Sequence, residues 1–169
     1  GIELVDVDLR IKPTEAFKNL FSDESYHVKR FISDNFKKKL IEILKKDRYD
    51  IVQLEMVYMA PYIETIRENS KAMIVLRAHN VEHLIWDRIA KKTKFPPKKW
   101  YINHLVRTLK KYELDVINKV DGIAAITYRD AAYFRGETAV PVIDIPYGVN
   151  PDDFKPKYEV KEKPTLYHI

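Results

Sequence analysis

Ala72-Met73-Ile74-Val75-Leu76-Arg77-Ala78 is the stretch that decides the fold. It is short, bounded by polar residues and apolar except for one arginine, the signature of a strand buried inside a parallel sheet. His79-Asn80-Val81-Glu82-His83 follows directly. Asn80 is a good N-cap there, and Glu82 falls in the first turn of a helix that the pattern carries through Ala90. Upstream, Ile51 to Leu54 reads as a second buried strand with Glu55 at its carboxyl end, and a helix around Tyr62 to Asn69 returns the chain. Downstream, Pro96-Pro97 breaks the chain before a long helix from about Lys98 to Lys119. Its apolar stripe is Ile102, Leu105, Val106, Leu109, Tyr112, Val116, Ile117 and Val120. A small-residue strand (Gly122 to Ile126), a helix after Thr127 (Tyr128 to Phe134) and a last strand (Val140 to Ile145) complete the alternation. Short apolar strands alternating with longer helices predict an α/β fold, Rossmann-like and doubly wound around a mainly parallel sheet.

The flanks are less regular. Ile2, Leu4, Val5, Val7 and Leu9 alternate as a strand should, Pro13-Thr14-Glu15 opens a helix to Phe21, and Tyr26 to Ile32 reads as another β-like run. Ser33 or Asp34 caps a helix whose stripe is Phe36, Leu40, Ile43 and Leu44. Pro146-Tyr147-Gly148-Val149-Asn150-Pro151 marks a boundary. The expected division is a domain over 1–146, a linker over 147–163 and the first strand of a further unit over 164–169. A length of 169 residues supports one core but not two, and a start at Gly1-Ile2-Glu3-Leu4, without methionine or a basic leader, reads as cut from something longer.

Composition narrows the class. Hydrophobic residues at 46% and charged residues at 33% exclude a disordered or collagen-like chain. The absence of cysteine excludes a disulfide scaffold, a thiolate zinc site and a cysteine nucleophile. The net charge of +5 is concentrated. From Asp87 to Lys111 nine basic residues face one acid, a local +8 that leaves −3 for the remainder. Lys91, Lys92, Lys94, Lys98 and Lys99, with Phe95 and Trp100 among them, suit an anionic membrane surface or a nucleic-acid backbone. A solvated helix face whose aromatics point inward is the plainer reading.

Ligands of open α/β sheets gather outside the carboxyl ends of the strands, which directs attention to Glu55, Arg77 to Asn80 and Thr127. His79 is the sharpest candidate, since a histidine between a buried strand and a helix N-terminus is placed to hydrogen-bond a substrate hydroxyl or carbonyl. Arg77 calls for a carboxylate partner, Glu55 or Glu82. His27, His83 and His104 read as structural or surface residues. His79-x-x-Glu82-His83 matches an inverted zincin spacing, but no third ligand accompanies it, so no metal site is expected. Neither a G-x-G-x-x-G nor a P-loop is present, and no cofactor is expected.

Taken together, YDIVQLE (Tyr49 to Glu55), IVLRAHNVEHLIWDRIA (Ile74 to Ala90), LKKYELDVIN (Leu109 to Asn118), VDGIAAIT (Val120 to Thr127) with Asp130, and IPYGVNPDDF (Ile145 to Phe154) resemble the N-terminal half of a GT-B glycosyltransferase. The nearest group is the retaining, family-4-like bacterial enzymes. The resemblance implies transfer of a sugar from a nucleotide-sugar donor to a glycan or lipid-linked acceptor, with this half on the acceptor side. It implies a catalytic role for His79 facing the donor sugar. Asn80, Glu82, Glu55, Thr127 and Asp130 would line or support the cleft, and Tyr147 with Gly148 would form its hinge. It also implies a cytoplasmic protein, peripheral on the inner face of the membrane through the lysines and Trp100, with no nucleic-acid partner. The family's first strand and its nucleotide-binding half are not evident here, so the chain alone is expected to be catalytically silent, with an open sheet edge that invites homo-oligomers. Two other readings keep the fold: a non-catalytic module that binds anionic membrane or nucleic acid through 87–111, and half of a sugar-nucleotide epimerase.

Overall fold

The structure, a computed structural model, describes residues 1–10 and 12–148. Four strands form one sheet in the order β1-β2-β3-β4, all parallel: β1 Ile51–Glu55, β2 Met73–Ala78, β3 Gly122–Ala125 and β4 Val142–Asp144. Helices α1 Pro13–Asn19, α2 Tyr26–Lys29 and α3 Asp34–Lys46 precede the sheet. A 3-10 helix, Val57–Tyr62, and α4 Ile63–Asn69 join β1 to β2. Helices α5 Glu82–Lys92 and α6 Pro96–Val116 join β2 to β3, and α7 Tyr128–Glu137 joins β3 to β4. A four-stranded, all-parallel sheet flanked by helices is the α/β, Rossmann-like class that the alternation predicts, and it is consistent with a doubly wound fold.

Among the described residues the strand order runs one way across the sheet, so these right-handed crossovers place their helices on one face, as on one side of the switch point of a doubly wound sheet. Burial follows from this. Leu54, Ile74, Leu76, Ala78, Ile123 and Ala125 point into a core with Ile63, Ile66, Leu109, Val116, Ile117 and Phe134. The alternate residues Ile51, Met73 and Ile143 stay more than half exposed on the other face. Asp121 pins the start of β2, accepting from the Ile74 N–H at 2.6 Å while Arg67 holds it at 2.8 Å.

Several expectations change. Residues 1–10 form no strand, and Ile2 and Leu4 are largely exposed; alternation makes a strand only beside a neighbour that completes its ladder, and none of the described residues lies there. Tyr26 to Ile32 opens as the helix α2 rather than as a strand. Its N–H groups find partners locally, Val28 and Lys29 on the Ser25 carbonyl and Phe31 on Val28, while Tyr26, His27 and Val28 are all buried against the helical layer. Pro96 and Pro97 start α6 instead of standing before it, because the first turn of a helix tolerates residues without an N–H. The linker residues beyond Gly148 and the unit over 164–169 lie outside the described residues.

Candidate functional site

Parallel pairing sets Glu55 opposite Arg77, and Arg77 opposite Ala124, in one row at the carboxyl edge of the face opposite the core, where Glu55 is exposed and Arg77 and Ala124 are buried. His79 follows β2 on the same side. Its Nε2–H donates to Glu55 Oε2 at 2.7 Å, and the Tyr147 hydroxyl stands 3.4 Å from that nitrogen, with the two rings edge to face at 6.1 Å. Gln53, one turn of pleat back on β1, donates its amide to the other Glu55 oxygen. Arg77 has no carboxylate in ion-pair contact among the described residues. Its guanidinium lies over the Tyr147 ring at 5.3 Å instead, which corrects the expected pairing with Glu55 or Glu82. Packing over an aromatic face suits guanidinium because it is weakly hydrated and planar.

Partial burial works to raise the Glu55 carboxyl. The hydrogen bonds from His79 and Gln53 and the charges of His79 and Arg77 outweigh it and hold the group below its ordinary value. With Nε2–H committed to a carboxylate, the neutral form of the ring presents Nδ1 as an acceptor. A hydroxyl brought there donates its proton toward the ring, and Glu55 supports the charge that the ring gains. At the end of β1, Met56 has φ 73° and ψ 154°, a conformation rare outside glycine. Its N–H donates to the Arg77 carbonyl at 3.0 Å, so the strained residue ties the end of β1 to β2 two residues before His79.

The remaining candidates divide. Asn80 and Asp130 share a groove of about 270 Å³ with Val81, Leu84, Asp87 and Arg88. Thr127 and Asp130 cap α7 reciprocally: the Thr127 hydroxyl accepts from the Asp130 N–H at 3.1 Å and donates to its carboxylate at 2.7 Å. Gly148 is exposed, with open space around the position a side chain would take. Glu82 is turned inward, buried, and accepts from Tyr58 Oη at 2.9 Å. Asn80 does not cap α5. Val81 occupies the N-cap and has no side chain for the task, so the carboxylate of Glu113, from α6, accepts from the Glu82 and His83 N–H groups at 2.9 and 3.3 Å. That occupation removes the α5 N-terminus as a site for a ligand anion. His83 also meets Glu113 through Nδ1 at 2.5 Å, so the three residues of the H-x-x-E-H spacing face three different partners. Among the described residues no group of three metal-ligating side chains converges.

Glu113 escaped the sequence reading although it carries a signal. It falls four residues after Leu109 and three before Val116, an acid inside an apolar stripe. Larger hollows lie elsewhere, one of about 600 Å³ beside α2 and Tyr112 and one of about 720 Å³ between Asp47 and Lys71. Neither joins the strand ends, where the acid–base groups are. The basic run is open to water: residues 94–100 are all exposed, Phe95 at 65% and Trp100 at 63%. Lys91 is tied to Asp87 at 2.5 Å, while Lys92, Lys94, Lys98 and Lys99 have no ion-pair partner among the described residues. No helix among the described residues is long and apolar enough to cross a membrane. No family model, curated protein or solved structure matches the chain.

Proposed function

We propose that the chain supplies the acceptor-side half of a sugar-transferring cleft, in which His79 engages a hydroxyl of the donor sugar. The observation that carries this reading is the Glu55–His79 pair at the carboxyl edge of a parallel sheet, accessible, oriented by Tyr147 and Gln53, and with Nδ1 left to a ligand. A sugar hydroxyl donating to Nδ1 fixes the ring's rotation, and Glu55 keeps the imidazole in the tautomer that accepts. Nucleotide and diphosphate recognition falls to a second half, since the α5 N-terminus is filled by Glu113. The test is nucleotide release from nucleotide-sugar donors by the polypeptide that carries this chain together with such a half. His79→Ala is expected to lower the rate by at least about tenfold, and Glu55→Gln by a smaller factor. An unchanged rate in His79→Ala removes the residue from the mechanism.

A second observation favours a membrane partner for the same protein. Phe95 and Trp100 project into water among lysines, contrary to the plainer reading in which they turn inward. Each unpaired lysine near an anionic bilayer contributes about 1 kcal/mol, and aromatic rings settle at the headgroup level. Sedimentation with anionic vesicles is expected to carry the protein down, with neutral vesicles and oligonucleotides as the other arms. Charge reversal at Lys91, Lys92, Lys98 and Lys99 is expected to abolish it. Binding that ignores those changes, or that prefers oligonucleotides, overturns this part.

A further inference from the structure

Beneath the open pair runs a buried chain of hydrogen bonds. Tyr58 Oη donates to Glu82 Oε2 at 2.9 Å; the Glu82 N–H donates to Glu113 Oε1 at 2.9 Å; His83 donates to Glu113 Oε2 from its backbone N–H at 3.3 Å and meets the same oxygen through Nδ1 at 2.5 Å. The Tyr133 hydroxyl closes the chain 3.2 Å from His83 Nε2. The members come from four different supports of the site. Tyr58 stands in the 3-10 helix just after Glu55, Glu82 and His83 open α5 just after His79, and Tyr133 lies on α7. Glu113, in the last turn of α6, joins them.

A buried carboxylate is a costly choice at an apolar stripe position, where leucine would pack without a desolvation penalty. A helix start is also capped more simply by a serine or aspartate of its own. Here the cap comes from another helix, so the first turn of α5 cannot shift without breaking three hydrogen bonds to one side chain. Only Asn80 and Val81 separate that turn from His79. We infer that Glu113 is a positioning residue: by clamping the first turn of α5 to α6 it holds His79 in contact with Glu55. This rests on the proposed sugar-transfer reading only for what the pair does, not for how the pair is held.

The test follows the His79 ring directly, by the NMR chemical shift of its Nε2–H proton at one fixed pH, and uses no substrate. The groups that face His79 are Glu55 and Tyr147, so Glu55→Ala defines the resonance of the unpaired ring. In Glu113→Ala the resonance is expected to move at least about half of the way to the Glu55→Ala position, with a smaller move in Glu113→Gln, which keeps one acceptor oxygen. Ile117→Ala, a core truncation on the same helix, controls for general loosening and is expected to leave the resonance at the wild-type position. Should Glu113→Ala fail to fold, Glu113→Gln carries the test, with a move in the same direction. A wild-type resonance in the folded Glu113 variants, or an equal move in Ile117→Ala, overturns the inference. An unchanged rate of nucleotide release in His79→Ala, with these shifts present, counts against the sugar-transfer reading alone.

Discussion

Two histidine–glutamate pairs stand four residues apart at the head of the same helix, and they differ in almost everything except chemistry. His79 and Glu55 have side chains 27% and 54% exposed; His83 and Glu113 have side chains 3% and 2% exposed. In the open pair one ring nitrogen is committed and the other has no hydrogen-bond partner among the described residues. In the buried pair both are committed, Nδ1 to Glu113 and Nε2 to Tyr133. A spare nitrogen in reach of water is what a ligand needs, and a fully used ring is what a scaffold needs. Sequence neighbours can thus carry opposite tasks, because a turn and the first residues of a helix swing successive side chains to opposite sides of the sheet edge.

The contrast is broken most directly by removing the carboxylates in turn. Glu113→Ala strands three buried donors and is expected to cost about 3–5 kcal/mol. Glu55→Ala and His79→Ala should stay within about 1 kcal/mol, as exposed pairs do. Urea unfolding with a common slope measures all three, and equal losses would erase the distinction.

His27 sharpens it by lacking any carboxylate. It is buried against Trp86, ring centroids 4.1 Å apart, with Nε2 unpartnered. Burial first, and the charge of Arg30 second, depress it from 6.5 to about 4. A histidine that is harder to protonate when folded favours the folded state fully above the unfolded value and loses that advantage as pH falls. Stability should therefore decline from about pH 6.5 toward pH 4 by about 2–3 kcal/mol, and His27→Phe, which keeps a ring against Trp86, should flatten the decline. An unchanged acid profile in that variant assigns the decline to other groups.

The smallest effect concerns the strained end of β1. Met56→Gly and Met56→Ala both remove a side chain packed against the core, and the glycine variant, relieved of the positive φ, is expected to be the more stable of the two by about 0.5–1 kcal/mol. Thermal unfolding compares them, and an alanine variant as stable as the glycine one would show that the conformation carries no strain.

The parts that could be read from the sequence are those fixed by local periodicity. The runs Ile51 to Leu54 and Ala72 to Ala78 declared themselves because each is a short apolar stretch whose alternate residues, Leu54, Ile74 and Leu76, meet the core on one face, and the stripe of α6 did so because Leu109, Val116 and Ile117 meet it too. Position at strand ends sufficed to single out Glu55 and His79. The segments that misled have their outcome decided by neighbours. Ile2 to Leu9 alternates without a strand beside it, and Tyr26 to Val28 is buried on all sides, so its apolar content carries no period. Asn80 has the chemistry of a cap and lost the role to Glu113, which lies 31 residues from Glu82 along the chain. No local pattern predicts a cap lent by another helix.

The open sheet face gives the site an adjustable dielectric. Ile51, Met73 and Ile143 lie on the face whose carboxyl edge holds Glu55, Arg77 and His79, so whatever covers those apolar side chains also roofs the pair. Water then gives way to protein above a contact of 2.7 Å. Two unit charges about 4 Å apart interact by about 1 kcal/mol in water and about 4 kcal/mol near a protein surface, so the cover sets the strength of the coupling without touching either residue.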